Sequence, residues 1–187
     1  MNNFITKLTF TLFLLCTICT ALVAGAHNIT KDAIAARAAA DVKTAYTQVF
    51  PKMGTLSQEK IPGGIIQDIK CSKENGKING YIYTVAPSGY GGDVTVMVGI
   101  SSPDAKLTGI KVLKQNETPG LGAKSTEPKF MDQFAGKDLK APLEVSKQAT
   151  GNEIQAITAA TITSRAVVTG VNAARDHYMK TYTQGKG

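Results

Sequence analysis

Residues 65–114 read IIQDIKCSKENGKINGYIYTVAPSGYGGDVTVMVGISSPDAKLTGIKVLK, and this stretch decides the fold. Ile65 to Cys71 is apolar and β-branched, and Asn75-Gly76 follows it as a tight-turn pair. Ile78 to Ala86 alternates with the period of a half-buried strand. Val94 to Ser101 alternates again, Pro103-Asp104 turns the chain, and Leu107 to Lys114 reads as another strand. Successive strands joined by short turns predict an antiparallel meander. Lys106, Thr108, Lys111 and Lys114 predict that one face of this sheet is wet.

Upstream of the meander, Leu8 to Ala26 is an uncharged apolar run preceded by Lys7. Its length is close to the roughly 20 residues a helix needs to cross a bilayer. The run reads as a transmembrane anchor over residues 1–27. A signal peptide is the alternative, because Ala24-Gly25-Ala26 fits a small-x-small cleavage site. Either reading puts residues 28–187 outside the cytoplasm. A second helix is expected from Thr30 to Phe50, with Thr30 as cap, Asp32 in the first turn and Ile34, Ala38, Val42, Ala45 and Val49 at helical spacing. Pro51 and Gly54 end it, and Pro62-Gly63-Gly64 form a loop.

Downstream, Asn116 to Ser125 is a Gly/Pro loop, Lys129 to Phe134 a short helix and Pro142 to Val145 a short strand. The closing helix runs from about Ile162 to Tyr182, with Val167, Val171, Ala174 and Tyr178 as its buried stripe. The class is therefore α+β: an antiparallel β-meander sheet packed against helices on one face, with an N-terminal transmembrane helix.

Composition narrows the chemistry. The chain has 187 residues, two histidines and a net charge of +7. Cys16 and Cys19 lie inside the apolar run, which leaves Cys71 alone in the rest. His27 and His177 have no Cys or second His at ligand spacing, so a metal, iron–sulfur or c-type haem site is disfavoured. The lysines are scattered and no basic run is interleaved with aromatics, so nucleic acid is not an expected partner. No nucleophile has a His partner, and no acid–base pair is evident.

Three segments exceed a purely structural reading. In Thr158-Ala159-Ala160-Thr161-Ile162-Thr163-Ser164, four hydroxyl residues precede or open the closing helix, more than one cap requires. A helix N-terminus presents unpaired N–H groups and partial positive charge, a good place for a phosphate. An ordinary Ser/Thr cap is the plain alternative. Glu117-Thr118-Pro119-Gly120-Leu121-Gly122-Ala123-Lys124 is a rigid loop with an isolated Leu, suited to a flat heteroaromatic ring, or else a tight turn leaving a strand. Ser88-Gly89-Tyr90-Gly91-Gly92-Asp93 is a hairpin loop, with neither a P-loop nor a dinucleotide fingerprint.

Taken together these segments resemble the FMN-binding domain family, and within it the G subunits of Rnf-type electron-transport complexes. The C subunits of sodium-pumping NADH:quinone reductase are near relatives. The resemblance also runs through Val98-Gly99-Ile100, Gly109 to Leu113, Phe134 to Lys137 and Ala156 to Ser164. It implies FMN transferred from FAD by a separate flavin transferase and held as a phosphoester on Thr161. Thr158 matches the upstream hydroxyl of the family pattern, and Ala160 its small residue. Gln155 stands where the family has Asp, and Ala159 where it has Gly. Thr163 is a fallback acceptor. Glu117, Thr118, Gly120, Leu121 and Gly122 would lie against the ring, with Tyr90 and Lys124 as further contacts. The implied function is electron relay on the outer face of a cell membrane, within a ferredoxin:NAD⁺ oxidoreductase coupled to Na⁺ or H⁺ translocation. Its partners would be the membrane and iron–sulfur subunits of that complex. The alternatives are the C-type component of a quinone reductase, a stand-alone flavinylated carrier and a non-flavin binding module.

Overall fold

A computed structural model describes residues 2–183, apart from the side chains of residues 2, 3, 35, 38 and 39. The chain divides into two compact units, Met1–Asp41 and Val42–Gly187. A single helix, α1, covers Asn2–Val49. Within it Phe4–Ile34 is long and apolar enough to cross a membrane, with a mean hydropathy of 2.1. Its large apolar side chains, among them Phe4, Leu8, Phe10 and Phe13, are exposed. The hydroxyls of Thr9, Thr11, Thr17 and Thr20 donate to carbonyls four residues back at 2.8–2.9 Å. That internal bonding satisfies polar groups that a hydrocarbon surrounding would leave without partners. The expected break before a second helix is not found. Thr30 caps nothing, and its hydroxyl donates to Ala26 O at 2.9 Å within the continuing helix. No glycine–proline break separates the two runs, and alanines carry the helix through. Of the expected stripe, Ala45 and Val49 are buried, Ile34 is exposed, and the Ala38 side chain lies outside the described residues.

The second unit holds the expected meander. Strands β1 (Thr55–Gln58), β2 (Ile66–Glu74), β3 (Lys77–Val85), β4 (Thr95–Ser101) and β5 (Lys106–Lys114) pair in chain order, all antiparallel. Asn75 and Gly76 both adopt positive φ, +52° and +77°, as a two-residue hairpin of matching twist requires. Strand β1 is an edge strand of four residues that its sequence did not reveal, because Thr55-Leu56-Ser57-Gln58 carries no β-branched run.

Alternation along β3 and β4 sends side chains to two cores. Tyr81, Tyr83, Val85, Val96, Val98 and Ile100 face the main one, where α3 (Thr161–Tyr178) packs through Val167, Val171, Ala174 and Tyr178. Ile82 and Met97 face the other way, under Ala45, Val49 and Phe50 at the end of α1. Helices therefore cover both faces, which corrects the expectation of a single packed face. The face expected to be wet is partly roofed: Thr108 Oγ1 donates to Val49 O at 2.5 Å, and Leu113 packs beneath the helix end. Only Lys106 and Lys114 of that face are fully exposed.

Between β5 and α3 the chain forms a 3-10 turn (Gly122–Thr126), α2 (Pro128–Met131), a second 3-10 turn (Asp132–Phe134) and a small parallel pair, β6 (Glu144–Ser146) with β7 (Glu153–Gln155). Phe134, Leu139, Leu143 and Ile154 anchor this connection in the main core. Each such fully buried side chain contributes about 1.5–3 kcal/mol. After α3 the chain continues in a π-helical turn, Met179–Thr183, from which Tyr182 stacks on Tyr81 with ring centroids 4.0 Å apart.

Candidate functional site

The start of α3 is built around its hydroxyl residues, yet none of them caps it. The residue before the helix is Ala160, which makes no side-chain cap hydrogen bond. The leading N–H groups of Thr161, Ile162 and Thr163 have no carbonyl a turn earlier within the helix. Two of the four hydroxyls are committed inward. Ser164 Oγ donates to Ala160 O at 3.0 Å and accepts from Ile157 N–H at 2.9 Å, tying the approach loop to the helix. Thr163, 1% exposed, donates to Glu117 Oε2 at 2.6 Å. Thr158 and Thr161 are left exposed. Residues 157–160 make a turn closed by Ala160 N–H to Ile157 O at 3.0 Å. Ala159, its third residue, holds φ +62°, a conformation in which glycine is usual.

Glu117 sits under this helix start, 7% exposed. Its Oε1 accepts from Tyr90 N–H at 2.9 Å and Gly91 N–H at 3.0 Å, while Oε2 takes the Thr163 hydroxyl. Burial pushes the carboxyl pKa up, but the bonds from Thr163, Gly91 and Tyr90 outweigh it and hold the group below its ordinary value. The carboxylate is therefore ionised at neutral pH. Glycines surround it for lack of room: a Cβ at Gly89 would run into Glu117 Oε1, and one at Gly122 into Glu117 Oε2 and Thr163 Oγ1.

After Glu117 the chain turns through Thr118–Leu121, with Leu121 N–H donating to Thr118 O at 3.1 Å. Gly120 takes φ +77° there, so it shapes the loop without lining the cleft beside it. That cleft, about 530 Å³, lies between the 117–122 loop, Tyr90 and the start of α3. Of the residues singled out from the sequence, Tyr90, Glu117, Thr118, Leu121, Gly122, Ala160, Thr161 and Thr163 line it, together with Ala159 and Ile162. Tyr90, Leu121 and Ile162 are 72%, 41% and 55% exposed, three large apolar residues meeting at one opening. Among the described residues no lysine or arginine lines it.

Thr158 is not in this cleft. With Lys124, Gln155 and Ile157 it borders a neighbouring groove of about 510 Å³. The 157–160 turn stands between the two. Ile162 was missed by the sequence reading, although a signal existed: it is an apolar residue off the Val167–Val171–Ala174 stripe, where the helical period predicts solvent. Gln115 was also missed. Its Oε1 accepts Glu117 N–H at 2.6 Å, a contact that no motif announces.

Comparison with known proteins matches this architecture. The model of the FMN-binding domain covers residues 89–176, which contain the whole cleft, and that of the RnfG N-terminal region covers residues 1–49, ending where α1 ends. The G subunit of the Na⁺-translocating ferredoxin:NAD⁺ oxidoreductase complex of Acetobacterium woodii is 50% identical over 109 residues, which are 56% of this chain and 52% of that protein's length. The G subunit of the ion-translocating oxidoreductase complex of Methanosarcina acetivorans is 31% identical over 181 residues, 92% of this chain and 94% of the relative. Among solved structures, the C subunit of the Na⁺-translocating NADH-quinone reductase of Parabacteroides distasonis superposes with a TM-score of 0.56 at 22% identity, over 75% of this chain and 82% of that one. At that identity the likeness speaks for the fold alone. The likeness to the Methanosarcina protein runs nearly end to end and includes the cleft. The chain belongs to the FMN-binding domain family, in its branch of G subunits of ion-translocating oxidoreductase complexes.

Proposed function

We propose that this chain is a membrane-anchored electron-transfer subunit that carries FMN as a phosphoester on Thr161. The observation that carries the reading is the composition of the cleft. It offers three exposed apolar surfaces, an exposed hydroxyl at an uncapped helix N-terminus and, among the described residues, no cationic side chain. The apolar surfaces suit a flat ring, and the cleft volume lies in the range of small-molecule sites. The helix start suits a phosphate. With no lysine or arginine among the described lining residues to hold a free phosphate, and with the Glu117 carboxylate below, retention by a bond is the consistent solution. A tether replaces encounter by a high effective concentration.

In this reading the Thr161 hydroxyl oxygen attacks the FMN phosphorus of FAD on a flavin transferase. The new Thr161 O–P bond forms as the P–O bond to AMP breaks. AMP leaves, and the hydroxyl proton goes to the transferase or to water. Thr161 is the acceptor rather than Thr163, because Thr163 is buried and already donates its proton to Glu117. Gln155 and Thr158 border the groove on the other side of the 157–160 turn, where an approaching transferase would meet them. Once bound, FMN supplies one- and two-electron redox chemistry. The chain's part is to hold the ring against Leu121, Ile162 and Tyr90, to offer the Thr118 side of the loop to its edge, and to keep the phosphate at the helix start.

The apolar Phe4–Ile34 segment anchors the chain in a cell membrane, with the FMN domain on the extracytoplasmic side. The chain then relays electrons to or from neighbouring membrane and iron–sulfur subunits of an Rnf-type complex coupled to Na⁺ or H⁺ movement. The match of residues 1–49 to the RnfG N-terminal region favours this over the C-type component of a quinone reductase. The test is co-expression with a flavin transferase. A mass gain of one FMN, ultraviolet fluorescence in a denaturing gel, and loss of both in Thr161→Ala are expected. An unmodified wild-type chain rejects the proposal.

A further inference from the structure

We propose that Glu117 is a positioning residue: its buried carboxylate fixes the 88–93 loop and the first turn of α3 around the cleft, and places a negative charge behind the flavin-bearing helix start. The first half stands on geometry alone; the second rests on the flavin reading.

Three chain segments that are remote in sequence meet on this one side chain. Tyr90 and Gly91 donate consecutive amides to one oxygen, and Thr163 donates its hydroxyl to the other. Paired loop amides of this kind form an anion-binding nest. Here the protein's own carboxylate fills it, so the glycine-rich loop has no free nest for a ligand phosphate. The loop closes on itself through Gly89 N–H to Gly92 O at 2.8 Å and Val94 N–H to Pro87 O at 2.9 Å. Glu117 is what joins it to the acceptor helix. The clashes that a Cβ would meet at Gly89 and Gly122 show that both loops are packed down to the carboxylate oxygens.

Charge follows from the same contacts. The N-terminus of α3 carries roughly half a positive charge. A full negative charge bonded to Thr163, two residues beyond Thr161, offsets it from the buried side. Adding an electron to a group tethered at Thr161 would bring more negative charge toward that carboxylate. Glu117 therefore favours the oxidised state of the bound group.

The two roles separate in Glu117→Gln and Glu117→Ala. Gln keeps the shape and can still accept the two loop amides, with its own amide turned to the Thr163 hydroxyl. Ala leaves the two part-buried loop amides and the buried Thr163 hydroxyl without that partner. In the full, unflavinylated chain in detergent, hydrogen exchange of the 88–93 segment is expected to rise at least ~10-fold in Glu117→Ala and to stay near wild type in Glu117→Gln. In the flavinylated chain, Glu117→Gln is expected to shift the flavin midpoint potential in the positive direction without lowering flavin fluorescence anisotropy. Glu117→Ala is expected to lower the anisotropy. Unchanged exchange in Glu117→Ala overturns the positioning role. An unchanged potential in Glu117→Gln, or a wild-type chain that takes up no flavin, overturns the charge role, and the exchange result still decides the first. If Glu117→Ala does not fold, Thr163→Val removes one of the three bonds: faster exchange at the start of α3, restored in Thr163→Ser, supports the positioning role, and no change removes it.

Discussion

Ala159→Gly tests the strain in the 157–160 turn with a sign, not only a size. Ala159 holds φ +62° at the third position of the 157–160 turn. For a residue with a Cβ that conformation costs roughly 1–2 kcal/mol, and glycine adopts it without the penalty. Glycine also loosens the unfolded chain, which takes back about 0.4–1 kcal/mol. The difference predicts that Ala159→Gly stabilises the folded unit by roughly 0.5–1 kcal/mol. For a chain of this length that corresponds to a rise in Tm of about 1–4 °C. The assay is thermal or urea unfolding of the full chain in detergent, followed by near-ultraviolet circular dichroism of its six tyrosines, as the chain has no tryptophan. Ala173→Gly, inside α3, is the control of opposite sign, expected to destabilise by about 1 kcal/mol. If Ala159→Gly destabilises by as much as Ala173→Gly, the turn holds no strain at Ala159.

Gly122→Ala is expected to destabilise by about 1–3 kcal/mol, because the new methyl meets the Glu117 carboxylate and the Thr163 hydroxyl; a near-neutral urea midpoint would contradict the packing. Leu121→Ser and Ile162→Ser remove exposed apolar surface, so unfolding of the flavin-free chain should change by no more than about 0.5 kcal/mol. In the flavinylated chain the same substitutions should lower flavin fluorescence anisotropy, and an unchanged anisotropy would place the ring elsewhere. His177 adds a pH dependence. Burial lowers its pKa below the ordinary value, and Tyr83 Oη lies 3.1 Å from its Nδ1. The unfolded chain binds the proton more readily, near the unperturbed pKa of about 6.5. Stability is therefore full above that value and falls as pH drops through it toward the folded pKa. A melting series from pH 7.5 to about pH 5 should show this decline, and His177→Gln should flatten it.

Much of this protein is written locally. Turn chemistry at Asn75-Gly76 and two-residue alternation in β2 to β5 specify the meander, because each signal depends on neighbours a few positions away. The 3.6-residue stripe of Val167, Val171, Ala174 and Tyr178 specifies the face that α3 buries. The strings around Glu117 and Thr161 were also legible, and most of their residues do line one cleft. Local signals do not say which segments meet. Two adjoining alanine-compatible runs read as two helices and form one, since nothing between them stops the backbone bonding onward. The face that lysines marked as wet is partly roofed by the end of α1, a contact between residues far apart in the chain. Thr158 and Thr161 are three positions apart yet border different grooves, because a positive φ at Ala159 turns the chain between them. The sequence by itself determined most of the elements and singled out most of the residues that line the cleft. Tertiary structure alone decided that Glu117 faces inward, bonded to Tyr90, Gly91 and Thr163, because a carboxylate's partners are set by what the fold brings within hydrogen-bond reach.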